Sequence, residues 1–115
     1  MATVLIVDDE QSIVDLLCEL VREAGHNPVT AYNGRDALDL AQQQRPDLII
    51  SDVMMPLMDG YALLQALRAD PALAHTMVIL ISAAVNVSQI PNSATAFVAK
   101  PLDLDMIEGF LQRLP

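Results

Sequence analysis

Apolar runs too short for a buried helix recur five times along the chain, and stretches with helical spacing separate them. Thr3–Val7 is the first run, closed by Asp8-Asp9-Glu10. Val29-Thr30-Ala31 lies within the second, residues 26–32. Asp47 opens the third, which climbs through Leu48-Ile-Ile-Ser to Asp52. Met77–Ile81 and Thr95–Ala99 are the fourth and fifth. Runs of this length, rich in Val, Ile and Leu, read as strands buried on both faces of a sheet.

Between them the period changes to that of a helix. After Gln11, residues Ile13, Leu16, Leu17, Leu20, Val21 and Ala24 fall on one stripe, and Gly25 stops it. Asn33-Gly34 is a turn. Arg35–Gln44 follows as a second helix with Ala37, Leu38, Leu40 and Ala41 inward, ended by Pro46. Gly60–Arg68 carries Leu63, Leu64 and Leu67, and Asp70-Pro71 breaks it. Asn86, Pro91, Asn92 and Ser93 oppose a long helix between Ala83 and Ala96, so a shortened or irregular fourth helix is expected there. Asp103–Gln112 closes the chain with Leu104, Ile107, Phe110 and Leu111 inward.

Strand alternating with helix predicts an α/β fold, a doubly wound five-stranded parallel sheet with helices on both faces. Right-handed crossovers favour the flavodoxin-like strand order 2-1-3-4-5. The 115 residues suit a single domain, 1–115, with no output domain. The chain is 53% apolar but only 3% aromatic, so the core is aliphatic. No apolar run is long enough to cross a bilayer, and the N-terminus has no basic leader. Cys18 is the single cysteine, so no internal disulfide can form, and a cytoplasmic location is expected. The net charge of −9 argues against direct nucleic-acid binding. It serves either solubility or the attraction of cations and basic partners.

In the expected strand order the carboxyl ends of all the strands share one rim. Asp8 and Asp9 end strand 1, Asp52 strand 3, Ser82 strand 4 and Lys100 strand 5. Three crowded carboxylates repel, and one lysine cannot offset them. A divalent cation can. Hard oxygen ligands with no His or Cys nearby favour magnesium, or manganese in its place, over zinc. The backbone carbonyl of Met54 is placed to complete the shell. An ionised Asp52 beside that cation, Lys100 and Ser82 is equipped to accept a phosphoryl group as a nucleophile.

These residues resemble the receiver domain of two-component response regulators over essentially the whole chain. The matching motifs are Val7-Asp8-Asp9-Glu10, Asp52-Val-Met-Met-Pro56-Leu-Met-Asp59-Gly60, Ser82-Ala83 and Lys100-Pro101. The resemblance implies that Asp52 takes phosphate from a sensor histidine kinase or a histidine phosphotransfer protein. It implies magnesium on Asp8, Asp9 and Asp52, and a phosphoryl contact from Lys100. It further implies a cis peptide before Pro101 and a switch in which Ser82 moves and Phe97 turns inward. The downstream protein target is unknown, a phosphorylation-dependent dimer is in keeping with the family, and no membrane or nucleic-acid partner is expected. Ser82 and Lys100 stand about one helical turn closer in sequence than the family norm, which shortens the fourth helix, a part of the signalling face in the family.

Simpler readings stand beside these. Asp8 and Asp9 could cap the first helix, Ser82 and Lys100 could be solvated, and Phe97 could be plain strand packing. Asp59-Gly60 reads as loop closure, Cys18 and the methionines at 54, 55 and 58 as packing, and His26 and His75 as exposed. Two other functions compete: a docking pseudo-receiver that never takes phosphate, and a magnesium-dependent hydrolase working through an aspartyl-phosphate. The hydrolase would need a second acid–base carboxylate and a water-excluding cap, and the chain has Met54 and no insertion. No turnover of an external substrate is therefore expected. Neither Met54 nor Ala84, which would flank the phosphoryl group, offers a polar atom to position water, so a long-lived phosphorylated form is expected.

Overall fold

A computed structural model describes residues 1–83, 94–100 and 102–114. Its strands are β1 (Thr3–Val7), β2 (Asn27–Ala31), β3 (Leu48–Asp52), β4 (Met77–Ser82) and β5 (Ala96–Ala99). Its helices are α1 (Gln11–Glu23), α2 (Gly34–Gln44), α3 (Gly60–Ala69) and α4 (Leu104–Gln112). The sheet is wholly parallel in the order β2-β1-β3-β4-β5. This is the doubly wound flavodoxin-like architecture expected from the sequence. The irregular fourth helix expected between Ala83 and Ala96 falls mostly outside the described residues, as do Ala84 and the peptide before Pro101.

Strand alternation divides the core in two. Val4, Ile6, Leu48, Ile50, Ile79, Ile81 and Val98 face one side, where α1 brings Val14, Leu17 and Val21 and α4 brings Ile107 and Leu111. Leu5, Val7, Ile49, Val78 and Leu80 face the other, against Ala37 and Ala41 of α2 and Leu63, Leu64 and Leu67 of α3. Each fully buried Leu or Ile contributes about 1.5–3 kcal/mol of apolar transfer free energy. Cys18 is buried in the first cluster, as expected of a small apolar residue, and burial pushes its thiol up.

Capping explains where several helices begin. Asn33, Asp59 and Asp103 accept hydrogen bonds from the backbone N–H groups of Asp36, Ala62 and Met106. Asp59 is thus a helix start, as read.

Three expectations need correcting. Leu16 lies at the edge of the apolar stripe and Ala24 at the helix end, and both are exposed rather than packed. Met54 is 71% exposed, whereas Met55 and Met58 do pack against the core. His26 is half-buried and bonded at both ring nitrogens, 3.0 Å from the Ala2 backbone nitrogen and 2.8 Å from the Leu111 carbonyl. An N–H points at Nδ1, so Nδ1 must accept and Nε2 must carry the proton. The imidazole thereby ties the start of β1 to the end of α4. His75 is exposed, as expected.

Candidate functional site

Register brings the site together. Val7 pairs with Ser51, so Asp8 emerges beside Asp52. Asp52 pairs with Ile81, and Ser82 is the next residue. Ser82 in turn pairs with Ala99, one residue before Lys100. Four residues far apart in sequence therefore leave adjacent strands in a stepped row. The Lys100 N–H donates to the Ser82 carbonyl at 2.9 Å, which extends the β4–β5 ladder to the lysine itself.

The loop after Asp52 is held by close backbone approaches. The Gly60 N–H donates to the Val53 carbonyl at 2.8 Å, and a Cβ at Gly60 would stand 2.5 Å from the Asp52 carbonyl oxygen. The Gly34 N–H donates to the Met58 carbonyl at 3.0 Å, where a Cβ would stand 2.3 Å from that oxygen. Between these clamps Leu57 takes a left-handed φ of +68° with its side chain 75% exposed. A branched residue there is strained.

Carboxylates of Asp8, Asp9 and Asp52 each offer an oxygen, and these oxygens lie within 4.8 Å of one another. Asp8 and Asp52 are buried while Asp9 is exposed. Asp8 Oδ1 accepts from the Glu10 N–H at 2.9 Å, but Asp8 Oδ2 is buried with no hydrogen-bond partner. Lys100 Nζ stands 3.5 Å from Asp52, 3.8 Å from Asp8 and 4.0 Å from Glu10. Burial pushes the Asp8 carboxyl up to about 6, and the charge of Asp52 adds to that against the pull of the Glu10 N–H and Lys100. Burial likewise raises Asp52, opposed by Lys100 and by backbone N–H groups of Val53 and Met54.

This arrangement excludes capping as the reason for Asp8 and Asp9. Glu10 is the cap residue of α1, and its side chain makes no capping bond. A buried carboxylate oxygen without a hydrogen bond, 3.8 Å from Lys100 and among hard oxygen donors, is what a divalent cation relieves, so the residues fit magnesium. Ser82 is buried beside them, and Phe97 is partly buried against the α2–α3 side of the core. Glu10 was missed as a site neighbour. Its sequence signal is a glutamate at a helix start where Asp, Asn or Ser would cap better.

The response regulator receiver domain model matches residues 4–112. The chain belongs to that family. A probable transcriptional regulator, ycf27, of Guillardia theta is 37% identical over 92% of this chain and 42% of its own length. Response regulator PleD of Caulobacter vibrioides is 36% identical over 89% of this chain and 23% of its own. This receiver domain therefore spans less than half of either relative. Sporulation initiation phosphotransferase F of Bacillus subtilis is 33% identical over 96% of this chain and 90% of its own length. The chemotaxis protein CheY4 of Vibrio cholerae superposes with a TM-score of 0.88 at 33% identity, over 100% of this chain and 99% of that one. Receiver domains are signalling domains of two-component systems, and the family binds magnesium at an acidic pocket. The Asp8, Asp9 and Asp52 cluster is a pocket that could hold it. No helix among the described residues is long and apolar enough to cross a membrane.

Proposed function

We propose that this receiver domain is a phosphoacceptor whose nucleophile is Asp52. The observation that carries the reading is a buried carboxylate 3.5 Å from Lys100, in a pocket with Asp8 and Asp9 where one buried oxygen has no hydrogen-bond partner. A carboxylate oxygen of Asp52 forms a bond to phosphorus as the P–N bond of a phosphohistidine breaks, its electron pair staying on the imidazole nitrogen. Lys100 follows the charge onto the phosphoryl oxygens, and the Ser82 hydroxyl donates to one of them. A magnesium or manganese ion on Asp8, Asp9, Asp52 and the Met54 carbonyl, when bound, neutralises charge on those oxygens.

The donor is a sensor histidine kinase or a histidine phosphotransfer protein, and relatives named for phosphotransfer and response regulation support this. The acyl phosphate adds negative charge at the rim. Ser82 and Phe97 respond by reorienting, which alters a surface read by a protein target or a second copy. The domain acts in the cytoplasm as a switch, turning over no external substrate and contacting no nucleic acid itself.

The test is intact mass after incubation with magnesium and acetyl phosphate. A gain of one phosphate that is lost in Asp52→Asn and on chelation supports the reading. No gain at saturating donor overturns it in favour of a docking pseudo-receiver. Steady release of inorganic phosphate from small esters would instead mark a hydrolase.

A further inference from the structure

Lys100 is the only lysine in the chain, and three carboxylates share it. Two are the buried Asp8 and Asp52. The third, Glu10, belongs to none of the proposed ligand or acceptor roles. Its backbone is fixed: the N–H donates to Asp8 Oδ1 at 2.9 Å and the carbonyl accepts from Ile13 and Val14 at 3.2 Å. Its side chain makes no capping bond to α1 and instead reaches Lys100 Nζ at 4.0 Å, with 62% of it exposed. A residue ill suited to its local position, directed at a site cation, points to a role at that site.

We propose that Glu10 is a positioning residue, a charge gate on Lys100 that holds back small anionic phosphodonors. The inference rests on the phosphoacceptor reading above. In the resting domain Glu10 stands at the solvent side of the rim, 4.0 Å from a lysine that also faces Asp52 and Asp8. A phosphoryl group arriving at Asp52 is an anion that must win Lys100 from Glu10 and approach past its negative charge. A free acyl phosphate brings no cation to offset that repulsion, whereas a docked protein donor presents its phosphohistidine on a surface that can. Glu10 thereby biases the site toward protein donors. An exposed carboxylate about 4 Å from a largely covered ammonium acts through solvent, so the bias amounts to about several-fold and weakens with salt.

The experiment compares wild type with Glu10→Gln and Glu10→Asn for phosphorylation by acetyl phosphate with magnesium, at low and high ionic strength. Both variants are neutral, but only asparagine caps a helix well. The expected result is that both accelerate phosphorylation about three- to tenfold at low salt, alike, and that the gain shrinks at 1 M salt. Acceleration by Glu10→Asn alone, or equal rates for all three proteins, overturns the gate. A second readout needs neither donor nor metal. With 13C-lysine the chain gives one side-chain Cε resonance, that of Lys100, and Glu10→Gln should move it; an unmoved resonance also overturns the proposal. Failure of wild type to take up phosphate overturns the phosphoacceptor reading, and the gate with it. Phosphorylated wild type with indifferent variants sinks the gate alone.

Discussion

The two ends of the sheet treat polar groups in opposite ways. At the amino ends of the strands polar groups meet partners. Asp47 accepts from the Thr3 N–H at 2.9 Å and returns its own N–H to the Thr3 carbonyl at 2.8 Å. His26 bridges Ala2 and Leu111, and Arg68 donates to the carbonyls of Ala74 and Thr76 at 3.2 and 2.7 Å. At the carboxyl ends the pocket leaves Asp8 Oδ2 without a hydrogen bond, raises two carboxyls and strains Leu57. One end stabilises the fold, and the other retains unfavourable electrostatics that a cation can relieve.

The contrast can be broken at its centre. Lys100→Ala should slow phosphate uptake from acetyl phosphate by about 100-fold, because the cationic side chain beside Asp52 is gone. Quench-flow or timed intact-mass measurement checks this, and a loss below threefold would remove Lys100 from the chemistry.

A smaller effect separates the ends by pH. Asp8 binds its proton more tightly folded, near 6, than the 3.8 of an ordinary Asp side chain. Its contribution to stability is therefore full below about pH 3.8 and lost as pH rises through 6; the raised Asp52 acts in the same direction. Metal-free Asp8→Asn should be more stable than wild type at pH 7.5 by about 1–3 kcal/mol, an advantage that fades toward pH 4. Magnesium should raise the melting temperature of wild type and much less that of the variant. Thermal melts across pH, with and without magnesium, decide it; equal stability at pH 7.5 would mean that the pocket carries no such cost.

At the other end, His26→Ala should lower stability by about 1–2 kcal/mol while leaving phosphate uptake within twofold of wild type. Urea unfolding beside the mass assay tests the separation, and a large loss of uptake would show that the ends are coupled. The finest probe is the lifetime of the phosphorylated form. Exposed, thioether-bearing Met54 offers no polar side-chain atom to orient water, so decay in minutes or longer is expected; loss within seconds would contradict it.

Much of this was legible in the chain because the physics is local. Val/Ile/Leu runs of strand length separated by helical stripes specify a buried parallel sheet, and a carboxylate closing such a run has no packing reason to be there. That reasoning reached Asp8, Asp9, Asp52, Ser82 and Lys100. It missed His26 and Glu10, whose partners lie 85 and 90 positions away. It also put Leu16 on the apolar stripe and read Met54 as loop packing, because composition says nothing of which edge of a stripe or loop the neighbouring elements leave uncovered.

The sequence by itself determined the alternation of elements, the order of the strands and the rim on which the charged residues fall, since period and handedness follow from backbone sterics. Only the tertiary structure decided how Lys100 is divided among three acids, which oxygen of Asp8 goes without a hydrogen bond, and which ring nitrogen of His26 accepts. Those are matters of a few ångströms between chain-distant atoms, and in a low-dielectric interior distances on that scale set the energy.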